Sequence, residues 1–563
     1  MGWFECNRET GHVIGLLLAS SHLYGSINSS SSLFSLVHLQ RLDLSDNYFN
    51  HSQIPCGVGQ LSRLRSLNLS YSGFSGPIPS SLVELVNLRY LSLRGNYLNG
   101  TVDLNMLKKL KNLTYLQLSN MLSLLGYNDT NDAHLDLSSN MLQGSLPVPP
   151  PSTFDYSVSV NKLSGQIPPL ICNMSSLSLL DLSGNSLSGR IPQCLTNLSS
   201  SSSILNLRGN RLHGSIPQTC TETSNLRMID LSENQLQGKI PGSLANCMML
   251  EELVLGTNLI NDIFPFSLGS LPRLQVLILR SNLFHGAIGR PKTNFQFSKL
   301  RIIDLSYNGF TGNMPSEYFQ NWDAMKIVDA DNLTYIQADL EFEVPQYSWK
   351  DPYSISMTMM NKGMTREYKK IPDILTIIDL SSNKFYGEIP ESIGNPKGLQ
   401  ALNLSNNALT GPIPASLANL TLLEALDLSQ NKLSREIPQQ LVQLTFLEFF
   451  NVSHNHLTGP IPQGKQFATF PNTSFDGNLG LCGSPLSRAC GNSEASPPAP
   501  SIPQQSSASE FDWKIVLMGY GSGLIIGVSV GYILTSWKHE WFVETFGRRQ
   551  PKWRRKAKRG HRG

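Results

Sequence analysis

Several things are scarce in this sequence. Cysteine occurs 8 times in 563 residues, which excludes a small scaffold built on disulfides. Charged residues are 15 % of the chain and nearly cancel, leaving a net charge of +3, so the main body lacks a nucleic-acid-binding balance. Residues 1–10 hold no apolar run of leader length, and Cys6 stands where a myristoylation motif wants Ser or Thr. No G-x-G-x-x-G-x-V, H-R-D or D-F-G set occurs, which leaves no kinase chemistry in these residues. His454 and His456 flank Asn455 without a nucleophile or acid arranged around them. The expectation is a chain that is not an enzyme, with no catalytic, cofactor-binding or metal-ligating residue.

What is present is a repeat. L-L-E-A-L-D-L-S-Q-N-K-L-S-R-E-I-P is followed by F-L-E-F-F-N-V-S-H-N-H-L-T-G-P-I-P, and Asn383, Asn407, Asn431 and Asn455 are spaced by 24 residues. Within one copy Leu426 and Leu428 alternate with Ala425 and Asp427, which gives a short strand one apolar face. Such a strand cannot bury that face alone, and stacked coils make one continuous core. Asn431 is placed to satisfy backbone groups of adjacent coils, at roughly 1–3 kcal/mol for each group otherwise left unpaired. The fold class expected is an α/β solenoid, a leucine-rich-repeat superhelix.

Taken in order, residues 1–10 read as the remnant of an N-terminal cap and 11–320 as about 13 repeats. Residues 321–374 break the register with acidic residues, aromatics and the run Met357, Met359, Met360, Met364. This is an island expected to emerge from the solenoid and to take part in recognition. Four repeats follow at 375–465, then a C-terminal cap at 466–491 in which Cys482 and Cys490 are expected to pair. Cys56, Cys172, Cys194, Cys220 and Cys247 fall in the non-strand halves of repeats and are expected to be small buried thiols. Non-leucine strand positions are the candidate ligand-facing residues: Arg41, Asp43, Arg65, Arg89, Gln117, Arg227, Asp230, Glu252 and Arg301.

Residues 492–513 read as a Pro/Ser-rich linker and 514–537 as a single transmembrane helix, with an uncharged core bracketed by Lys514 and Lys538. Gly519, Gly523, Gly527 and Gly531 are spaced by four and form a candidate helix-pairing face. The tail 538–563 carries ten Lys/Arg against two acids, which predicts a cytosolic end touching anionic lipids and a single-pass type I protein of the plasma membrane. N-glycosylation sequons stand at Asn28, Asn50, Asn68, Asn99, Asn112, Asn128, Asn173, Asn197, Asn332, Asn403, Asn419, Asn451 and Asn472, all ahead of the predicted span.

The G-x-I-P repeat, the island, the four last repeats and the run W-K-I-V-L-M-G-Y-G-S-G-L-I-I-G together resemble the plant leucine-rich-repeat receptor-like proteins, of the tomato Cf and apple Vf disease-resistance type. The resemblance covers essentially the full chain. It implies a kinase-less cell-surface receptor that recognises an extracellular peptide, protein or glycan and signals through partner receptor kinases, in plant defence or development. It also implies that the glycine face and the last repeats meet a membrane kinase. Against the family pattern, only G-W-F-E-C stands where a paired-cysteine cap is usual, so the chain is expected to begin inside that cap. The alternatives are a truncated or decoy receptor without signalling, or a binding module similar to the polygalacturonase-inhibiting repeats.

Overall fold

The structure, a computed structural model, describes residues 3–490 apart from 104–108, 119–122, 126–133, 175, 197–202, 219, 222, 292–295, 327–333 and 345–346. Each coil contributes one short strand to an 18-stranded inner sheet, parallel throughout except for Phe4–Cys6, which runs antiparallel to Val13–Leu17 at the N-terminal edge. The register is strict: Leu42, Leu67, Leu91 and Leu116 occupy one row, and Leu402, Leu426 and Phe450 continue it at the far end. These side chains point inward and are at most 2 % exposed. Alternation along a strand sends the flanking residues to the other, concave face.

The repeated asparagine holds adjacent coils together. Asn431 donates through Nδ2 to the carbonyls of Leu404, Leu428 and Ser429 at 3.0, 3.2 and 3.1 Å, while its Oδ1 accepts from the Leu409 amide at 3.0 Å. One buried side chain thus satisfies four backbone groups, which explains why the position tolerates so little variation within the array. Ser72 stands at this position in one coil, and its hydroxyl donates to the Leu44 carbonyl at 2.7 Å.

The α/β expectation is corrected in one respect. The convex side is made of 3-10 turns such as Ala415–Asn419 and Gln439–Gln443, and the α-helix among the described residues is Ser316–Asn321. A 24-residue coil leaves room for one short turn there. That turn begins after a proline, Pro414 or Pro438, with no side-chain cap, so it does not extend into a longer helix.

The predicted membrane helix is also corrected. Among the described residues no helix is long and apolar enough to cross a membrane. The six residues of Ser316–Asn321 would span about 9 Å, against roughly 30 Å of bilayer core. The segment 514–537 lies outside the described residues, as do Gly519, Gly523, Gly527 and Gly531 and the basic tail. The transmembrane helix, the glycine-face contact with a kinase, the lipid contact of the tail and the type I plasma-membrane placement are therefore withdrawn.

The cysteines differ from expectation as well. Cys172 pairs with Cys194 and Cys220 with Cys247, with Cα atoms 5.6 and 5.8 Å apart. Each bridge joins the turns of successive coils, a juxtaposition that residue spacing near one repeat length would have suggested. Cys482 and Cys490 form a third bridge, Cα atoms 5.1 Å apart. Cys6 and Cys56 are free and exposed. Phe450, Phe467, Phe470 and Phe475 pack ring against ring, 5.0 to 5.8 Å from Phe450, and seal the C-terminal end of the core.

The island does not emerge from the solenoid. After Asp323–Met325 it forms two antiparallel hairpins, Ala338–Val344 with Tyr347–Tyr353 and Met357–Asn361 with Met364–Tyr368, then returns through Ile371–Pro372. Ile302–Asp304 pairs directly with Ile377–Asp379, so the inner sheet runs on without a gap. The inserted chain folds back over the concave face of that sheet.

Candidate recognition surface

The concave face divides into a covered part and an open part. Under the island, outward positions of the strands are apolar: Leu179, Ile204, Met228, Val254, Val276, Ile278, Ile302 and Ile377. They share one buried cluster with Ile336, Ala338, Ile355, Met357, Met359 and Ile371 of the island. Polar groups then fix the register. Tyr353 Oη donates to Asp181 Oδ2 at 3.0 Å and accepts from Asn206 Nδ2 at 2.9 Å. Arg208 donates to the Ser356 carbonyl at 2.9 Å, and Arg280 to the Thr358 carbonyl at 3.1 Å. Lys362, at the second hairpin's turn, lies 2.7 Å from both Glu424 and Glu448.

This cover changes the chemistry of the acids beneath it. Most outward Asp residues accept from the Ser two residues on, as Asp230 Oδ1 does from Ser232 N and Oγ at 2.9 and 2.6 Å. That local bond explains the recurrent D-L-S of the repeat. Burial nevertheless pushes the Asp230 carboxyl up to about 6 and that of Asp379 to about 7, the latter helped by the charge of Asp304. Asp181 and Asp304 are raised for the same first reason. Glu252 is 1 % exposed, and its pKa is held well above the ordinary range by burial and then by Glu251 and Asp230. Tyr353 is pushed up by burial and by the neighbouring Asp181.

The open part lies on the N-terminal side. At its border with the covered part Tyr90, Tyr115 and His134 stack in successive strands, with ring centroids 4.3 and 4.1 Å apart, and Tyr115 and His134 are themselves buried. A polar chain runs beside them: Ser92 Oγ donates to Gln117 Oε1 at 2.8 Å, and Gln117 Nε2 to Asp136 Oδ2 at 2.9 Å. His134 Nδ1 is 3.2 Å from Asp155 Oδ2. Where this row meets the island, a cavity of about 270 Å³ opens between the sheet residues Gln117, His134, Asp136, Asp155 and Asp181 and the island residues Pro352, Tyr353, Ser354, Lys369 and Lys370. Arg94 stands at its rim, 4.0 Å from Asp136. The pocket offers carboxylates, hydroxyls and cations side by side.

The sequence-predicted ligand-facing residues divide accordingly. Arg41 and Asp43 are half-buried on the open face, and Arg41 is bonded to Glu5 at 2.8 Å. Gln117 lines the pocket. Arg65, Arg89 and Arg301 stand one residue ahead of their strands, where their backbones form the approach ladder, as in Arg89 N to Arg65 O at 2.8 Å, and Arg227 is the residue skipped at a register shift within Leu226–Asp230. Arg227 is bonded to Glu251 at 2.9 Å. Asp230 and Glu252 are buried under the island. The residues that sequence reasoning missed are His134, Asp155, Tyr353 and Lys370. Their signal was available in the short coils at Leu135–Asn140 and Val158–Asn161 and in the apolar residues at outward positions from Leu179 onward.

Models of the leucine rich repeat match residues 201–258, 224–284 and 374–433, and further single repeats at 38–61, 63–85, 176–198 and 299–321. Receptor-like protein 6 of Arabidopsis thaliana is 44 % identical over 94 % of this chain and 56 % of its own length. Receptor like protein 27 of the same plant is 34 % identical over 96 % of this chain and 88 % of its own length. The chain belongs to the plant leucine-rich-repeat receptor-like proteins. It spans about half the length of several of the relatives it matches. Among solved structures, the ectodomain of the Arabidopsis receptor kinase HAESA, in complex with an extended IDA peptide hormone, aligns with a TM-score of 0.52 at 30 % identity, over 85 % of this chain and 75 % of that one.

Proposed function

We propose that this chain is the recognition array of a receptor whose extracellular ligand is a peptide lying along the open concave face, with one end in the pocket against the island. The observation that carries this reading is the division of the face: the island covers the apolar half, and the half-buried strand positions from Arg41 to Tyr90 stay open up to a shaped edge. The peptide bound by the HAESA ectodomain supports the ligand class. The receptor passes its signal to a partner receptor kinase, in plant defence. N- and C-terminal segments act as caps, the island as the cover that sets the ligand-facing surface, and the last repeats as the side offered to the kinase.

Site-specific photo-crosslinking tests the reading. A benzophenone side chain at Arg94 is expected to capture peptides from leaf extracellular fluid, and the same group at Lys432 is expected to capture none. Equal capture at both positions would remove the open face from consideration.

A further inference from the structure

Three of the exposed aromatic residues stand together. On the flank of the first coils Tyr24, Tyr48 and Tyr97 are 76, 40 and 61 % exposed, and His51 joins them into one ladder. The Tyr24 and Tyr48 rings lie 5.5 Å apart, and His51 is 5.7 Å from Tyr48 and 4.5 Å from Tyr97. Tyr48 Oη and His51 Nε2 are 3.1 Å apart. Two of these tyrosines stand two residues ahead of a sequon asparagine, in Y-F-N-H-S and Y-L-N-G-T. In both, the intervening residue points into the core, Phe49 at 5 % and Leu98 at 2 % exposure, while Tyr48, Asn50, Tyr97 and Asn99 are exposed. At Tyr97–Leu98 the strand places the Tyr97 ring and the Asn99 amide on one side, whereas Asn50 takes a left-handed φ of +50° in the turn that brings His51 against Tyr48.

We infer that Asn50 and Asn99 carry N-linked glycans whose innermost N-acetylglucosamine lies on this aromatic ladder. The axial C–H groups of the sugar meet the electron-rich faces of the rings, a contact of the weak C–H kind that adds to apolar burial. The ladder's occupant is therefore part of this chain's own modification. In the transfer, the asparagine Nδ2 bonds to the anomeric carbon of a polyprenyl-pyrophosphate-linked oligosaccharide. The carbon–oxygen bond to the pyrophosphate breaks, the lipid pyrophosphate leaves with the electron pair, and the amide proton goes to a base of the transferase. The three disulfides mark an oxidising export route, which is where that donor is found.

The other sequons supply a contrast within the molecule. Asn451 and Asn472 also follow an aromatic residue by two positions, Phe449 and Phe470. Phe449 packs against the covered apolar cluster beside Gly363, and Phe470 is 4 % exposed in the C-terminal seal. Neither ring can receive a sugar. Asn68 and Asn403 sit on the concave strands, where their side chains bond Ser70 and Ser405. Sequence pattern alone treats these sites alike; exposure of the ring separates them.

The test uses the full chain made in a eukaryotic secretory host. Glycopeptide mass spectrometry is expected to find Asn50 and Asn99 occupied. One sample is then treated with an amidase that removes the whole glycan, and another with an endoglycosidase that leaves the first N-acetylglucosamine. Hydrogen exchange at the Tyr97 and Asn99 amides should quicken about threefold after the first treatment and stay unchanged after the second. Tyr48→Ala with Tyr97→Ala should abolish that difference, and Tyr48→Trp with Tyr97→Trp should keep it. Unmodified Asn50 and Asn99, or equal exchange after the two treatments, would overturn the proposal.

Discussion

Two positions in one column of the inner sheet obey the same register and meet opposite fates. Ser66 and Met228 occupy equivalent outward positions in their coils. Ser66 is half-exposed in the open part, and Met228 is fully buried beneath Ile355, Met357 and Met359. The solenoid itself does not distinguish them, because its core lies on the other face of both strands. The insertion does. It makes a second, thinner apolar layer out of a surface that repeat grammar reserves for solvent, and it carries the buried acids with it. A leucine-rich repeat can thus be read for its core without being read for its binding face.

The largest expected effect breaks this comparison directly. Met228→Asp places an unpaired carboxylate under the island and should cost about 4 kcal/mol of local stability. Ser66→Asp in the same column should stay within about 0.5 kcal/mol. Urea denaturation followed by proteolysis of residues 335–372 reads both. A similar cost for the two substitutions would mean that the island does not seal its half of the face.

The second effect is a pH dependence confined to the covered half. Asp230 and Asp379 keep their protons up to about 6 and about 7, whereas in the unfolded chain they release them near 3.8. The folded form therefore binds more protons between those limits, and linkage makes its stability fall as pH rises through the window. The island should be held more firmly at pH 5 than at pH 7.5, by about 2 kcal/mol. Glu252 sharpens the point, since neither of its carboxylate oxygens has a hydrogen-bond partner among the described residues. Glu252→Met should stabilise the chain at pH 7.5 by about 1–3 kcal/mol and flatten its pH profile. A destabilised variant would show that the carboxylate is needed where it stands.

Much of this molecule could be read before folding. The spacing of Asn383, Asn407, Asn431 and Asn455 carries the solenoid, because one side chain must reach the same carbonyls in every coil. The island's existence was legible too, since the register fails and later resumes at Ile377. Its direction was not. An insertion returning onto the concave face is announced only by Leu179, Ile204, Met228 and Ile302, and those residues look like ordinary strand formers unless their phase is counted. The candidate site failed on phase as well. Arg65 and Arg227 are one residue ahead of Ser66 and Met228, so they belong to the approach ladder, and Asp230 and Glu252 are in phase but covered. Cys172 and Cys194 were misjudged for a related reason: their separation of 22 is close to one coil, so the turns that hold them are stacked neighbours.

The smallest effect concerns the far end of the island. Lys362 reaches Glu424 and Glu448 together, and both carboxylates raise its pKa after burial has lowered it. The contact looks like a latch between the second hairpin and the last coils. Its groups are partly solvated, however, with side-chain exposures of 21 % for the lysine and 35 and 63 % for the acids. Partly exposed pairs of this kind contribute about 0–1 kcal/mol and weaken with salt. Lys362→Met is therefore expected to leave the island seated, shifting the urea midpoint slightly at low salt and not at all in about 1 M salt. The apolar layer under Met357 and Met359 then accounts for the docking, with the ion pairs setting register. If Lys362→Met instead exposes residues 335–372 to protease as readily as Met228→Asp does, the order of those two contributions is reversed.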